Sequence, residues 1–314
     1  MRVLLLAAVV LLFAAPVALG EGTIVSELAR THDIWANTAK NTPTVYPAAT
    51  FNGHGTTITL RKEPGATGNV TPSLRTRLID LPLPAGFHGD SGPDHEAVLT
   101  PTVTHPVYAE LWTVRYGLTG WPGWSTGWGG VANPGELIQS GGLQVWPGYT
   151  GVQGSGIAFF PGLITDAEMR AGVANHPVQL EVPISCHTFK APATRTDGVS
   201  TTNDPNCITL GQEWKLPAGT DCTVVRSRAG RVLCAAMRDY YLVATDQTHD
   251  RLTFRFAGRP AERPNPYTAK GGWFGCDGLF NGQPVTGINE FDCYPIRGNG
   301  AFARLPLEKL VPIN

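Results

Sequence analysis

The chain has almost no net charge. Lys+Arg number 24 against 25 Asp+Glu, for a formal charge of −1. With no basic field on offer, nucleic acid and anionic lipid are poor partners. Beyond residue 20 no apolar run approaches the ~18 residues of a membrane span, and no cysteine stands at the end of the leader to take a lipid. A membrane-bound mature protein is not expected. There is no CxxC pair, no HExxH, no EF-hand loop and no complete GxSxG elbow around Gly154-Ser155-Gly156. These gaps disfavour zinc, calcium and serine-hydrolase chemistry, so neither metal nor cofactor is expected. No internal repeat is visible.

The most informative feature present is the leader. Arg2 precedes an apolar run from Val3 to Ala15, closed by Pro16-Val17-Ala18-Leu19-Gly20 with small residues where a signal peptidase reads. Export is expected, with a secreted, oxidising destination that permits disulfides and makes cytosolic coenzymes unsuitable ligands. Six cysteines lie in the second half. Pairing in sequence order, Cys186–Cys207, Cys222–Cys234 and Cys276–Cys293, closes three short loops, each worth about 3 kcal/mol by loop entropy.

Gly 37 and Pro 26 make up a fifth of the chain, below the level of low-complexity sequence but right for many short strands joined by tight turns. The fold class expected is mainly β, an antiparallel sandwich or distorted barrel with two short helices and a disulfide-stapled C-terminal half. The organisation expected is a signal peptide over 1–20, an extended lead-in over 21–55 and one β-rich domain over 56–314. Strand patterns fall at Thr56–Arg61, Thr76–Leu81, Val98–Leu99, Val107–Tyr116, Leu143–Trp146, Val178–Val182, Gln212–Leu216, Tyr241–Thr245 and Leu252–Phe256. Thr165-Asp-Ala-Glu168 is a capping box that starts a helix over Asp166–Ala171, with Gly172 to stop it, and a second helical spacing covers Arg228–Tyr240. An apolar segment, Leu305–Ile313, closes the chain.

The segment Val107–Tyr116 is apolar on both faces at period two, as in a central strand. Glu110, between Tyr108 and Trp112, is therefore out of place. Burial there raises a carboxyl pKa as a general acid requires, and aromatic walls suit the flat faces of sugar rings. The structural alternative is a glutamate at a strand end, or one paired with an arginine such as Arg115 or Arg195. His88-Gly-Asp-Ser-Gly-Pro-Asp94-His95-Glu96 packs histidines and carboxylates into a loop just before the strands around Glu110. Asp94 and His95 join the catalytic candidates on that account. Asp197, in the Asp197-Gly198 turn pair, is the other candidate; convergence with Glu110 would give the two carboxylates of a glycosidase.

Gly117–Gly156 is rich in tryptophan and glycine, and its only formal charge is Glu136. Forty residues of this kind mean a functional loop or concealed hairpins. Trp121, Trp124, Trp128 and Trp146 offer flat apolar faces with an indole donor, the surface of a saccharide platform. Trp112, Tyr108 and Arg195 complete the expected substrate-binding set.

Asp94-His95, Tyr108-Ala-Glu-Leu-Trp112, Pro161-Gly-Leu-Ile-Thr-Asp-Ala-Glu168, and Phe189 followed by Pro192-Ala-Thr-Arg-Thr-Asp-Gly198 together resemble an uncharacterised family of exported bacterial β-rich proteins. The resemblance spans about Leu78 to Thr245. It implies one continuous domain and no particular chemistry. The leading expectation is a secreted glycoside hydrolase or polysaccharide lyase acting on an extracellular polysaccharide. The competing one is a non-catalytic glycan-binding or cell-surface module, in which the tryptophans bind and the carboxylates merely pair.

Overall fold

A computed structural model describes residues 34–37, 44–47, 87–89, 95–100, 108–116, 124–126, 128–146, 151–198, 206–248, 252–256, 272–273, 279–280, 283–284 and 304–314. Among the described residues the protein is mainly β with two α-helices. In chain order come β1 (Ile34–Asn37), β2 (Thr44–Pro47), β3 (Ala97–Thr100), β4 (Tyr108–Trp112), β5 (Arg115–Tyr116), β6 (Trp124–Ser125), β7 (Trp128–Ala132), β8 (Ile138–Ser140) and β9 (Leu143–Val145). The second half supplies α1 (Asp166–Ala171), β10 (Val178–Val182), β11 (Ser185–Phe189), β12 (Ile208–Leu210), β13 (Glu213–Lys215), α2 (Arg228–Asp239), β14 (Leu242–Gln247) and β15 (Leu252–Arg255). Two-residue strands β16 (Leu279–Phe280), β17 (Gln283–Pro284) and β18 (Val311–Pro312) complete the set. The expected strands at Thr56–Arg61 and Thr76–Leu81 lie outside the described residues, as do Asp94, Trp121, Cys276 and Cys293.

Two sheets dominate. One has six strands in the order β1-β15-β10-β14-β13-β18, the other four in the order β2-β3-β4-β7. Pairing is mixed. β4 runs antiparallel to β3 and β7, whereas β10 and β14 are parallel neighbours joined by a crossover that contains α2. The lead-in contributes to both sheets, β1 pairing with β15 and β2 with β3.

Local chemistry accounts for the helices. Thr165 accepts from the Glu168 N–H while Glu168 returns a bond to the Thr165 N–H at 2.8 Å, and Gly172 ends α1 in the left-handed region at φ 79°. Ser227 caps α2 by accepting from Gly230 N at 2.8 Å. The inner face of α2, through Val232, Leu233, Ala236 and Met237, joins Val178, Leu180, Leu242 and Phe254 of the six-stranded sheet in the main core. Two disulfides brace this half, Cys186–Cys207 and Cys222–Cys234, both in the expected pairing.

The expected strand Val107–Tyr116 is broken in the middle. Thr113 takes φ 56°, and the Val114 N–H turns to the His95 carbonyl at 3.0 Å, so β4 ends at Trp112 and β5 starts a separate ribbon with β6. The Gly117–Gly156 stretch holds the concealed hairpins, since β8 pairs antiparallel with β9 and β6 and β7 fall inside it as well.

Candidate functional site

Between the two sheets runs the segment Gly151-Val-Gln-Gly-Ser-Gly-Ile-Ala-Phe-Phe160, with every residue but Val152 and Phe160 buried. A buried loop must find partners for its own N–H and C=O groups. Its needs explain most of the polar side chains singled out in the sequence.

Glu110 lies on β4 with zero exposure. It accepts hydrogen bonds from the Tyr108 hydroxyl and the Phe159 N–H through Oε1, and from the Val152 N–H at 3.5 Å through Oε2. Opposite it on β7 stands Gly130, and a Cβ on the adjacent Gly129 would overlap the Glu110 carbonyl oxygen. Burial drives the carboxyl up to about 7, against the four hydrogen-bond donors, Tyr108 first, that favour its charged form. The desolvation read from the sequence is therefore present, but the carboxyl faces the loop rather than solvent. Tyr108, 2% exposed, is pushed well above the usual phenol range by the same burial and then by the Glu110 charge.

Arg195 is likewise buried and serves the loop. Its guanidinium donates to the Gly151 carbonyl at 2.7 Å and the Gln153 carbonyl at 2.5 Å, while the N–H groups of Thr194 and Arg195 donate to the Ser155 carbonyl. Gln153 donates to the Ile157 carbonyl at 3.0 Å, and Gln179 to the Ala158 carbonyl at 2.8 Å. Asp246 accepts from the Gly154 N–H at 3.0 Å.

Asp197 sits on the other flank of the same loop. A Cβ on Gly154 would overlap its carboxyl group, so it meets the same residue whose N–H Asp246 accepts. Asp197 keeps an exposed edge and Asp246 is half-buried. Both carboxyls are raised, each chiefly by desolvation; the Asp197 charge, then that of Glu96, adds to the rise at Asp246. The structure thus brings Asp197 together with Asp246, which the sequence places just past the expected strand Tyr241–Thr245. The one available signal was its position just past an apolar strand.

A bulge aims Asp246. Leu180 pairs with Ala244 and Glu181 with Asp246, which leaves Thr245 as the extra residue of β14. Asp246 thereby comes level with Glu181 at the carboxyl end of the parallel pair. Glu181 and Glu96 both ion-pair with Arg255 of β15, the latter at 2.7 Å, and the Arg255 guanidinium carbon lies 4.5 Å from the centroid of the Phe159 ring. Since Glu96 immediately precedes β3, this triad ties the four-stranded sheet to the six-stranded one. None of its three members was singled out from sequence as a site residue.

The aromatic candidates separate into two groups. Trp146, 4% exposed, belongs to a core cluster with Val98, Leu137 and Ala158, its ring centroid 5.6 Å from that of Tyr108 at 43°. Of the others, Trp121 lies outside the described residues, and Trp112, Trp124 and Trp128 fall on β4, β6 and β7. Trp112, half-buried, stands opposite Trp128 in register, and Tyr116 stands opposite Trp124. Tyr116 is 64% exposed. His95 is half-buried with φ 47°, its backbone packed on Gly89, and its carbonyl serves Val114.

Among the described residues no group of three or more His, Cys, Asp or Glu is arranged to hold a metal ion, and no helix is long and apolar enough to cross a membrane. No protein-family model, curated protein or solved structure matches the chain.

Proposed function

We propose that this is an exported protein that binds an extracellular polysaccharide through the aromatic ribbon of β5 and β6 and the adjoining register pair of β4 and β7. The observation that carries the reading is the pairing of aromatic with aromatic at two neighbouring levels, Trp112 with Trp128 and Tyr116 with Trp124, with Tyr116 largely exposed. They lie in and beside a glycine-rich stretch whose only formal charge is Glu136. Flat apolar rings favour the CH faces of neutral sugars. Export is supported by the Met1–Gly20 leader and by two disulfides, which persist in oxidising compartments.

Binding is preferred to cleavage because the carboxyls are committed. Glu110 has no access to a polymer, and Asp197 and Asp246 are both engaged at Gly154 of the buried loop. The test is affinity electrophoresis of the oxidised protein from Glu21 onward through gels carrying plant, fungal and bacterial polysaccharides, with new reducing ends and unsaturated uronates followed in parallel. Retardation by at least one polysaccharide without cleavage is expected. Cleavage of any of them would replace this reading with the enzymatic one.

A further inference from the structure

Asp197 and Asp246 come from segments far apart in the chain and converge on one residue. Gly154 donates its N–H to Asp246 Oδ1 at 3.0 Å, and its Cα is covered by the Asp197 carboxyl so closely that no side chain fits there. Asp246 Oδ1 also accepts from the Gln247 N–H at 2.9 Å. Both carboxyls thus close on Gly154, Asp246 at its N–H and Asp197 over its Cα, and two carboxyl groups gathered on one residue avoid like-charge repulsion by sharing a proton. We infer that Asp197 and Asp246 form a proton-sharing latch that holds the Pro192–Gly198 segment against the buried loop and opens as pH rises.

The surroundings favour keeping that proton. The Arg195 charge opposes it at Asp197, but is outweighed by desolvation, and the Arg195 guanidinium is held by the carbonyls of Gly151 and Gln153. Asp246 faces the negative field of Glu96, and Glu181 of β10 is its partner in register. Arg255 of β15 balances those two glutamates by ion pairs. The Gly151–Phe160 loop contributes no charge. β11, which receives the Thr196 hydroxyl at the Cys186 carbonyl, brings only the exposed His187. Opening releases the shared proton to water and leaves two separated carboxylates, one exposed with its segment and one at the end of β14.

The sign follows from linkage. The closed latch binds one proton more than the open one between the ordinary aspartate pKa, about 4, and the raised range of the pair. Closure is therefore strongest in acid and is lost as pH rises through the raised values, which fall above the usual range for both residues.

Hydrogen exchange at Thr194 and Arg195, whose N–H groups donate to Ser155, reads the latch directly. Protection corrected for intrinsic exchange should fall by roughly tenfold per pH unit across that interval. Asp246→Asn supplies an amide donor to Asp197 without titrating, so its protection should be flat in pH; should that variant not fold, Asp197→Asn at the exposed position makes the same prediction. Glu110→Gln, on the other side of the loop, should keep the wild-type slope. Wild-type protection without the pH slope, or a slope retained in the asparagine variants, overturns the latch.

Discussion

Tyr108 donates its hydroxyl proton to Glu110 two residues along the same strand, and the Phe159 N–H converges on the same carboxyl oxygen. A tyrosine and a glutamate on one strand face thus read out the backbone of a loop trapped between sheets. The pair is internal scaffolding.

Titration of Glu110 should be visible in stability. Its folded pKa is raised to about 7, so the protonated form is the one favoured by folding, and stability is lost as pH rises from the unfolded value through about 7. The loss is on the order of 3 kcal/mol. Urea unfolding of Glu110→Gln, compared with wild type between acid and neutral pH, should lack this component, the variant losing least where wild type loses most.

Arg255 should be the most costly single charge to remove. It ion-pairs with both Glu96 and Glu181 at an interface where none of the three is much exposed. Arg255→Met leaves two buried carboxylates without their cation and should cost about 3–5 kcal/mol in urea unfolding. A loss below about 1 kcal/mol would mean the triad is solvated.

The two groups of aromatics should behave differently. Trp146→Ala removes a ring from the core around Tyr108 and should cost about 3–5 kcal/mol of stability. Tyr116→Ala, at a largely exposed position, should change stability by less than about 1 kcal/mol. Thermal and urea unfolding of both variants distinguishes them.

The disulfides should be detectable and strongly stabilising. Proteolysis of the unreduced protein should release peptides joining Cys186 to Cys207 and Cys222 to Cys234. Replacing Cys222 and Cys234 together by alanine should cost about 2–4 kcal/mol.

How far the sequence could be read differs by element. α1 was legible because a capping box and a terminal glycine are local signals, and these two disulfides because sequential pairing closes short loops. Glu110 stood out correctly as a buried carboxyl on an apolar strand. What its burial was for did not, because the Gly151–Phe160 loop looks like a surface turn until both sheets cover it. The same non-local cause hid Asp246 and Arg255, whose partners lie some 50 and 160 residues away in the chain. Trp146 and Trp124 were indistinguishable in sequence, being tryptophans in one glycine-rich stretch. β1 and β2, four residues each, are too short for periodicity to announce and exist through pairing with β15 and β3.

The most direct test of the account is polysaccharide affinity electrophoresis of wild type, Tyr116→Ala and Glu110→Gln, each confirmed as folded. The account predicts retention of wild type and of Glu110→Gln alike, with retention of Tyr116→Ala weakened about tenfold or more, as for loss of an aromatic anchor. Undiminished retention of Tyr116→Ala, or cleavage that Glu110→Gln abolishes, would contradict it.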